Sequence, residues 1–146
     1  MRELPRQLSV DELAELFEGR TRLVELLAEL EDPLGQARRV ALQDLTPNER
    51  LEVLDAHPAI GAKKLSARSA AEQGADADPE MLAELERLNR EYEERHGFRF
   101  VVFVDRRPKA EILEVLRSRI DNPTEQELDT ALGELVAIAQ DRWRRG

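Results

Sequence analysis

Four times in this chain a serine or threonine is followed three residues later by glutamate: Ser9 with Glu12, Thr46 with Glu49, Ser69 with Glu72 and Thr124 with Glu127. That spacing is the capping box. The hydroxyl accepts from an orphan backbone N–H in the first helical turn, and the glutamate reaches back to the cap. Leu8 just before the first box and Leu13 just inside it add a hydrophobic staple. A chain punctuated in this way is committed to helices, and its remaining signals agree.

Thr21 is placed to cap a second helix carrying Leu23, Leu26, Leu27 and Leu30, ended by Asp32-Pro33. A third, over about residues 34–44, sets Ala37, Val40 and Ala41 on one face. Thr46, with Pro47 at the first helical position, opens a fourth helix carrying Leu51 and Leu54. It must end near Ala56, because Pro58 pushes His57 out of the α region. Asp78-Pro79 opens a long helix with Leu82, Leu85, Leu88 and Tyr92, closed by Gly97. Pro108 starts another, with Ile112, Leu113, Leu116 and Ile120, and Thr124 opens the last, with Leu128, Leu132, Leu135 and Ile138. Residues 98–104 (Phe-Arg-Phe-Val-Val-Phe-Val) have strand propensity but no partner strand, so they are expected as extended, buried chain. The predicted fold is all-α: a compact single-domain bundle of roughly seven to eight helices over residues 1–146.

Composition narrows the function. The 31 acidic against 22 basic residues give a net charge of −9, which speaks against nucleic acid and against anionic lipid. No apolar run is long enough for a membrane span, and the N-terminus has no signal-peptide core, so a cytoplasmic protein is expected. With no cysteine there is no disulfide and no thiolate chemistry. The two histidines, His57 and His96, are not in any metal-ligand spacing, so no metal site is expected.

His57 stands where a helix ends beside a proline, a place where reactive side chains are displayed, although an ordinary helix-end histidine fits as well. His96, in the last turn of the long helix, is accounted for by the helix dipole. Ser69 and Glu72 have two readings. One is the capping box alone. In the other the same helix start, flanked by the small Ala70 and Ala71, presents backbone N–H groups and a carboxylate to an anionic ligand. Residues 98–104 are either plain core or an irregular wall whose backbone groups meet a flat, amide-rich ligand.

An ordered set of blocks resembles a known family. It comprises Ala56-His57-Pro58-Ala59-Ile60-Gly61, Ser69-Ala70-Ala71-Glu72-Gln73, Leu88-Asn89-Arg90-Glu91-Tyr92, Gly97-Phe98-Arg99-Phe100, Lys109-Ala110-Glu111-Ile112-Leu113 and Glu127-Leu128-Asp129-Thr130-Ala131-Leu132. Together they look like 2-oxo-4-hydroxy-4-carboxy-5-ureidoimidazoline (OHCU) decarboxylase, over roughly residues 10 to 145. The sequence departs from the family at Arg20-Thr21-Arg22, where an aromatic is usual, and at Ala59, where a charge is usual.

The resemblance implies an all-α carboxy-lyase of urate degradation, with no cofactor and usually a homodimer, that yields (S)-allantoin and carbon dioxide. It implies that His57 is the acid/base residue; that Glu72 forms a hydrogen-bonded acid/base pair with it is a further expectation, since a neighbouring carboxylate favours a charged imidazole. It places Pro58, Ser69, Ala70, Ala71, Glu72 and Gln73 at the substrate, together with Phe100, Val101, Val102, Phe103 and Val104. Two other readings stay open: a helical module that grips a partner helix without chemistry, and a homologue that binds the ring without turnover.

Overall fold

The computed structural model describes residues 3–57 and 79–145, and all of their regular structure is helical. The helices are α1 (Val10–Phe17), α2 (Arg22–Ala28), α3 (Pro33–Gln43), α4 (Pro47–Ala56), α5 (Pro79–His96), α6 (Lys109–Arg119) and α7 (Thr124–Arg145). The helix start expected at Ser69 lies outside the described residues. The chain divides into two compact units, Met1–His57 with Asp129–Gly146, and Pro58–Leu128.

In the first unit the caps are those the sequence spells out. Ser9 accepts from the Glu12 N–H while Glu12 returns to the Ser9 N–H, and Thr46 and Glu49 repeat the exchange. Thr21 Oγ1 accepts from Val24, and the Glu52 carboxylate of α4 takes the Arg22 N–H at 3.0 Å. The buried faces are Leu13, Leu16 and Phe17 of α1, Leu23, Val24 and Leu27 of α2, and Leu34, Ala37, Val40 and Ala41 of α3. The α4 face is turned by one or two positions from the expected one. Val53 and Leu54 are buried, and Leu51 is only half-buried. α2 also stops earlier than its leucines suggest, leaving Leu30 half-buried beyond it. The cause is the next start: Asp32 adopts a left-handed conformation at the head of α3 and donates its N–H to Arg6 O, so the chain must already turn at 29–32.

α1 ends on a left-handed residue, Glu18 (φ 64°), although a glycine, Gly19, follows directly. The glycine serves closeness instead. A Cβ built on Gly19 would stand 3.3 Å from the Ala56 Cβ of α4, tighter than an ordinary contact. Glu18 in turn pairs with Arg142 at 3.1 Å, and the same buried guanidinium donates to Leu16 O at 3.0 Å, satisfying a carbonyl that the end of α1 leaves open.

In the second unit α5 packs on α6. The solvent face of α5 carries ion pairs at helical spacing, Arg87 with Glu84 and with Glu91. Its buried face is Leu85, Leu88, Asn89, Tyr92 and His96. Gly97 (φ 79°) closes the helix as predicted. The segment that follows is extended and, but for Arg99 and Phe103, buried, without belonging to any sheet among the described residues.

Candidate active site

His57 is the C-cap of α4, with extended backbone (φ −88°, ψ 133°) and its N–H on Leu54 O. Proline at 58 accounts for that exit from the helix. The imidazole is only 8% exposed, so this is an interior histidine and not the loop-edge residue its position alone suggests. Pro58, Ser69, Ala70, Ala71, Glu72 and Gln73 lie outside the described residues. His57 belongs to the first unit, and the other described candidates, residues 100–104, belong to the second.

Those five are Phe100, Val101, Val102 and Val104, all at most 5% exposed, and a half-buried Phe103. A strand normally finds hydrogen-bond partners for its backbone in a neighbouring strand. Here arginine side chains supply several. Arg119 donates from Nη1 to Val101 O at 2.8 Å. Arg107 donates from Nη2 to Phe103 O at 2.5 Å and from Nε to Val104 O at 3.1 Å. A tight turn ends the segment, with Asp105 and Arg106 both left-handed (φ 47° and 62°) and the Arg107 N–H on Val104 O. On the apolar side, the Tyr92 ring meets Phe98 and Phe100 edge-on at centroid distances of 5.9 and 5.3 Å.

Beside this wall lies a buried polar cluster that the sequence reading missed. Tyr92 Oη donates to Glu127 Oε1 at 2.6 Å, Arg119 Nε donates to the same oxygen at 2.8 Å, and Asn122 Nδ2 donates to Oε2 at 3.0 Å. Glu127 is fully buried and Arg119 nearly so. Burial works against the carboxylate, but the bonds from Tyr92 and Asn122 and the charge of Arg119 outweigh it. They hold the Glu127 carboxyl below its ordinary value. Burial, then the bond to Glu127, pushes the Tyr92 phenol above its ordinary range.

The cluster corrects the fourth expected capping box. Glu127 has better partners inside the protein than the cap of its own helix, and Thr124 Oγ1 sits 2.8 Å from His96 Nδ1. His96 is likewise no mere dipole complement. It is buried, and because a carbonyl can only accept, its Nε2 carries the proton donated to Ile120 O at 3.0 Å. The available signal was position. Arg119 is seven residues past Ile112 and three past Leu116, and Glu127 is four before Ala131, so both charges fall on apolar stripes. Among the described residues no group of three or more His, Asp or Glu side chains is arranged to hold a metal ion.

The sequence pattern of the OHCU decarboxylase family matches residues 2–144. A 2-oxo-4-hydroxy-4-carboxy-5-ureidoimidazoline decarboxylase from Haloferax volcanii is 36% identical over 118 residues, spanning 76% of this chain and 69% of that protein. The protein of the same name from Halalkalicoccus jeotgali is 31% identical over 113 residues, spanning 74% of this chain and 64% of its own length. A crystal structure of OHCU decarboxylase in the presence of (S)-allantoin matches with a TM-score of 0.77 at 22% identity, covering 92% of this chain and 96% of that one. The shared architecture confirms the all-α fold. With the family pattern met from residue 2 to residue 144, the chain belongs to the OHCU decarboxylase family.

Proposed function

We propose that this protein decarboxylates 2-oxo-4-hydroxy-4-carboxy-5-ureidoimidazoline to (S)-allantoin and carbon dioxide in urate degradation. The observation that carries the reading is family membership over nearly the whole chain. The chemistry suits a protein with no added electron sink, because the substrate's own ring and C=N can accept the electron pair released with carbon dioxide. What the protein must supply is a hold on the carboxylate, stabilisation of the developing charge, and a proton delivered to one face of the ring.

His57 is the acid/base residue in this proposal. Its unperturbed pKa near neutrality fits it to take and return a proton, and its burial keeps that exchange from bulk water. Glu72 orients the imidazole and favours its charged form. Ser69, Ala70, Ala71, Gln73 and Pro58 contact the polar rim of the ring, and Phe100, Val101, Val102, Phe103 and Val104 form the wall against its face. The protein works as a single domain and a cytoplasmic homodimer, without metal or organic cofactor.

The test is the handedness of the product. Freshly generated substrate is followed by circular dichroism with wild type, His57→Ala and Glu72→Gln. Wild type gives one-handed allantoin. His57→Ala loses at least ~10²-fold in rate. Glu72→Gln separates cap from catalyst: glutamine is accepted in a capping box, so a mere cap leaves turnover intact, whereas an orienting carboxylate takes most activity with it. Racemic product from wild type, or near-normal stereospecific turnover by folded His57→Ala, overturns the assignment.

A further inference from the structure

Residues 98–104 are strand-like chain, and no strand among the described residues pairs with them to set their register. In a sheet, a neighbouring ladder holds each carbonyl in place. Here Val101 O is held by a side chain eighteen residues further on, Arg119 Nη1 at 2.8 Å. The same guanidinium lies over the Phe100 ring, 4.6 Å from its centroid. Its Nε is fixed by Glu127 Oε1 at 2.8 Å, and Glu127 is itself held by Tyr92 and Asn122. One planar group therefore touches two consecutive residues of the segment and is prevented from turning by a third partner. Arg107 also holds Phe103 O and Val104 O, but from three and four residues away, so it shapes the turn without tying the segment to another helix.

Stability does not account for this arrangement. A buried ion pair roughly breaks even against apolar packing of the same volume. Arg119 Nη2 is moreover buried with no hydrogen-bond partner among the described residues, which costs further. What the arrangement secures is orientation, and the rigid fork of arginine secures it where the point charge of lysine would not.

We propose that Arg119 is a positioning residue for the reaction: by fixing Val101 O and the Phe100 ring it sets where residues 100–104 stand against the substrate. The inference rests on the reading above that this segment lines the substrate. It predicts a particular failure. In Arg119→Lys the ammonium keeps its charge beside Glu127 and releases Val101 O. A displacement of the order of an ångström costs up to ~10²-fold. Because the wall binds the ring before as well as during reaction, the loss falls on KM and largely spares kcat.

The experiment uses the full chain. Backbone amide exchange at Val101, Val102, Phe103 and Val104 is measured in wild type and Arg119→Lys, alongside KM and kcat with freshly generated substrate. Faster exchange confined to the segment, with KM raised about tenfold or more and kcat nearly kept, is the expected result. Unchanged exchange in a folded variant overturns the clamp itself. Faster exchange with unchanged KM and kcat overturns the proposal through the reading beneath it, since the segment would then not face substrate. Should Arg119→Lys not fold, Glu127→Gln carries the same test. It leaves the guanidinium present but removes the charge that fixes it, and the same pattern at smaller amplitude is required.

Discussion

Tyr92 and Glu127 share one hydrogen bond, and each makes stability depend on pH in its own direction. The Glu127 carboxyl is depressed below 4.5 in the folded protein, so its contribution is present above that value and is lost as pH falls through the folded pKa. The Tyr92 phenol is raised above 10.0, so its contribution is whole below pH 10 and is lost as pH rises beyond it. The second is simple to isolate because the chain has one tyrosine. Tyrosinate absorbance of the folded protein should stay low well past pH 10. The urea midpoint of wild type should fall relative to that of Tyr92→Phe over the same range. A normal tyrosine titration in folded protein would mean that the phenol is not held by Glu127.

Among the elements, those fixed by local chemistry were legible. Ser9 with Glu12 and Thr46 with Glu49 close their boxes because each partner is three residues away and no other competes. Thr124 and Glu127 have the same spacing and do not close, because His96 and the Tyr92–Arg119 pair offer interior bonds that only the folded chain brings within reach. Buried charge is the least legible feature: nothing local marks Arg119, and Glu127 reads as the partner of the Thr124 cap, although both lie on apolar stripes and are buried. Of the candidate site, the position of His57 followed from Pro58, but no local signal marked its burial. The turn at residues 104–107 was also missed, since it lacks the Asn-Gly pair that two left-handed positions favour. Arg106 is exposed there at φ 62°, a conformation that costs a non-glycine residue roughly 1–2 kcal/mol. Arg106→Gly should therefore match or exceed wild type in urea denaturation. Arg106→Val should lose on the order of 1–2 kcal/mol, since a β-branched residue tolerates the region least. Equal loss in both variants would show that the Arg106 side chain, and not its backbone, matters.

At the scale of the molecule, the single tryptophan and single tyrosine fall in different compact units: Trp143, whose Nε1 donates to Glu3 O, in the first, and Tyr92 in the second. A chain that works as one cooperative domain must lose both environments together. Tryptophan fluorescence and near-ultraviolet tyrosine dichroism should give the same urea midpoint, and two separate midpoints would divide the proposed domain in two.

The first unit is discontinuous along the chain: its opening stretch ends at His57, its closing stretch starts at Asp129, and all of Pro58–Leu128 is translated between them. At a ribosomal pace of ~5–20 residues per second, α1 to α4 emerge several seconds before the helix that brings Ala131, Leu132, Leu135 and Ala139 to the same core. Through that interval the leucine faces of α1 and α2 must wait on the nascent chain with their packing incomplete. It is thus α7, made long after α1, that ends the exposure of α1, and a holding chaperone would find its substrate in that wait.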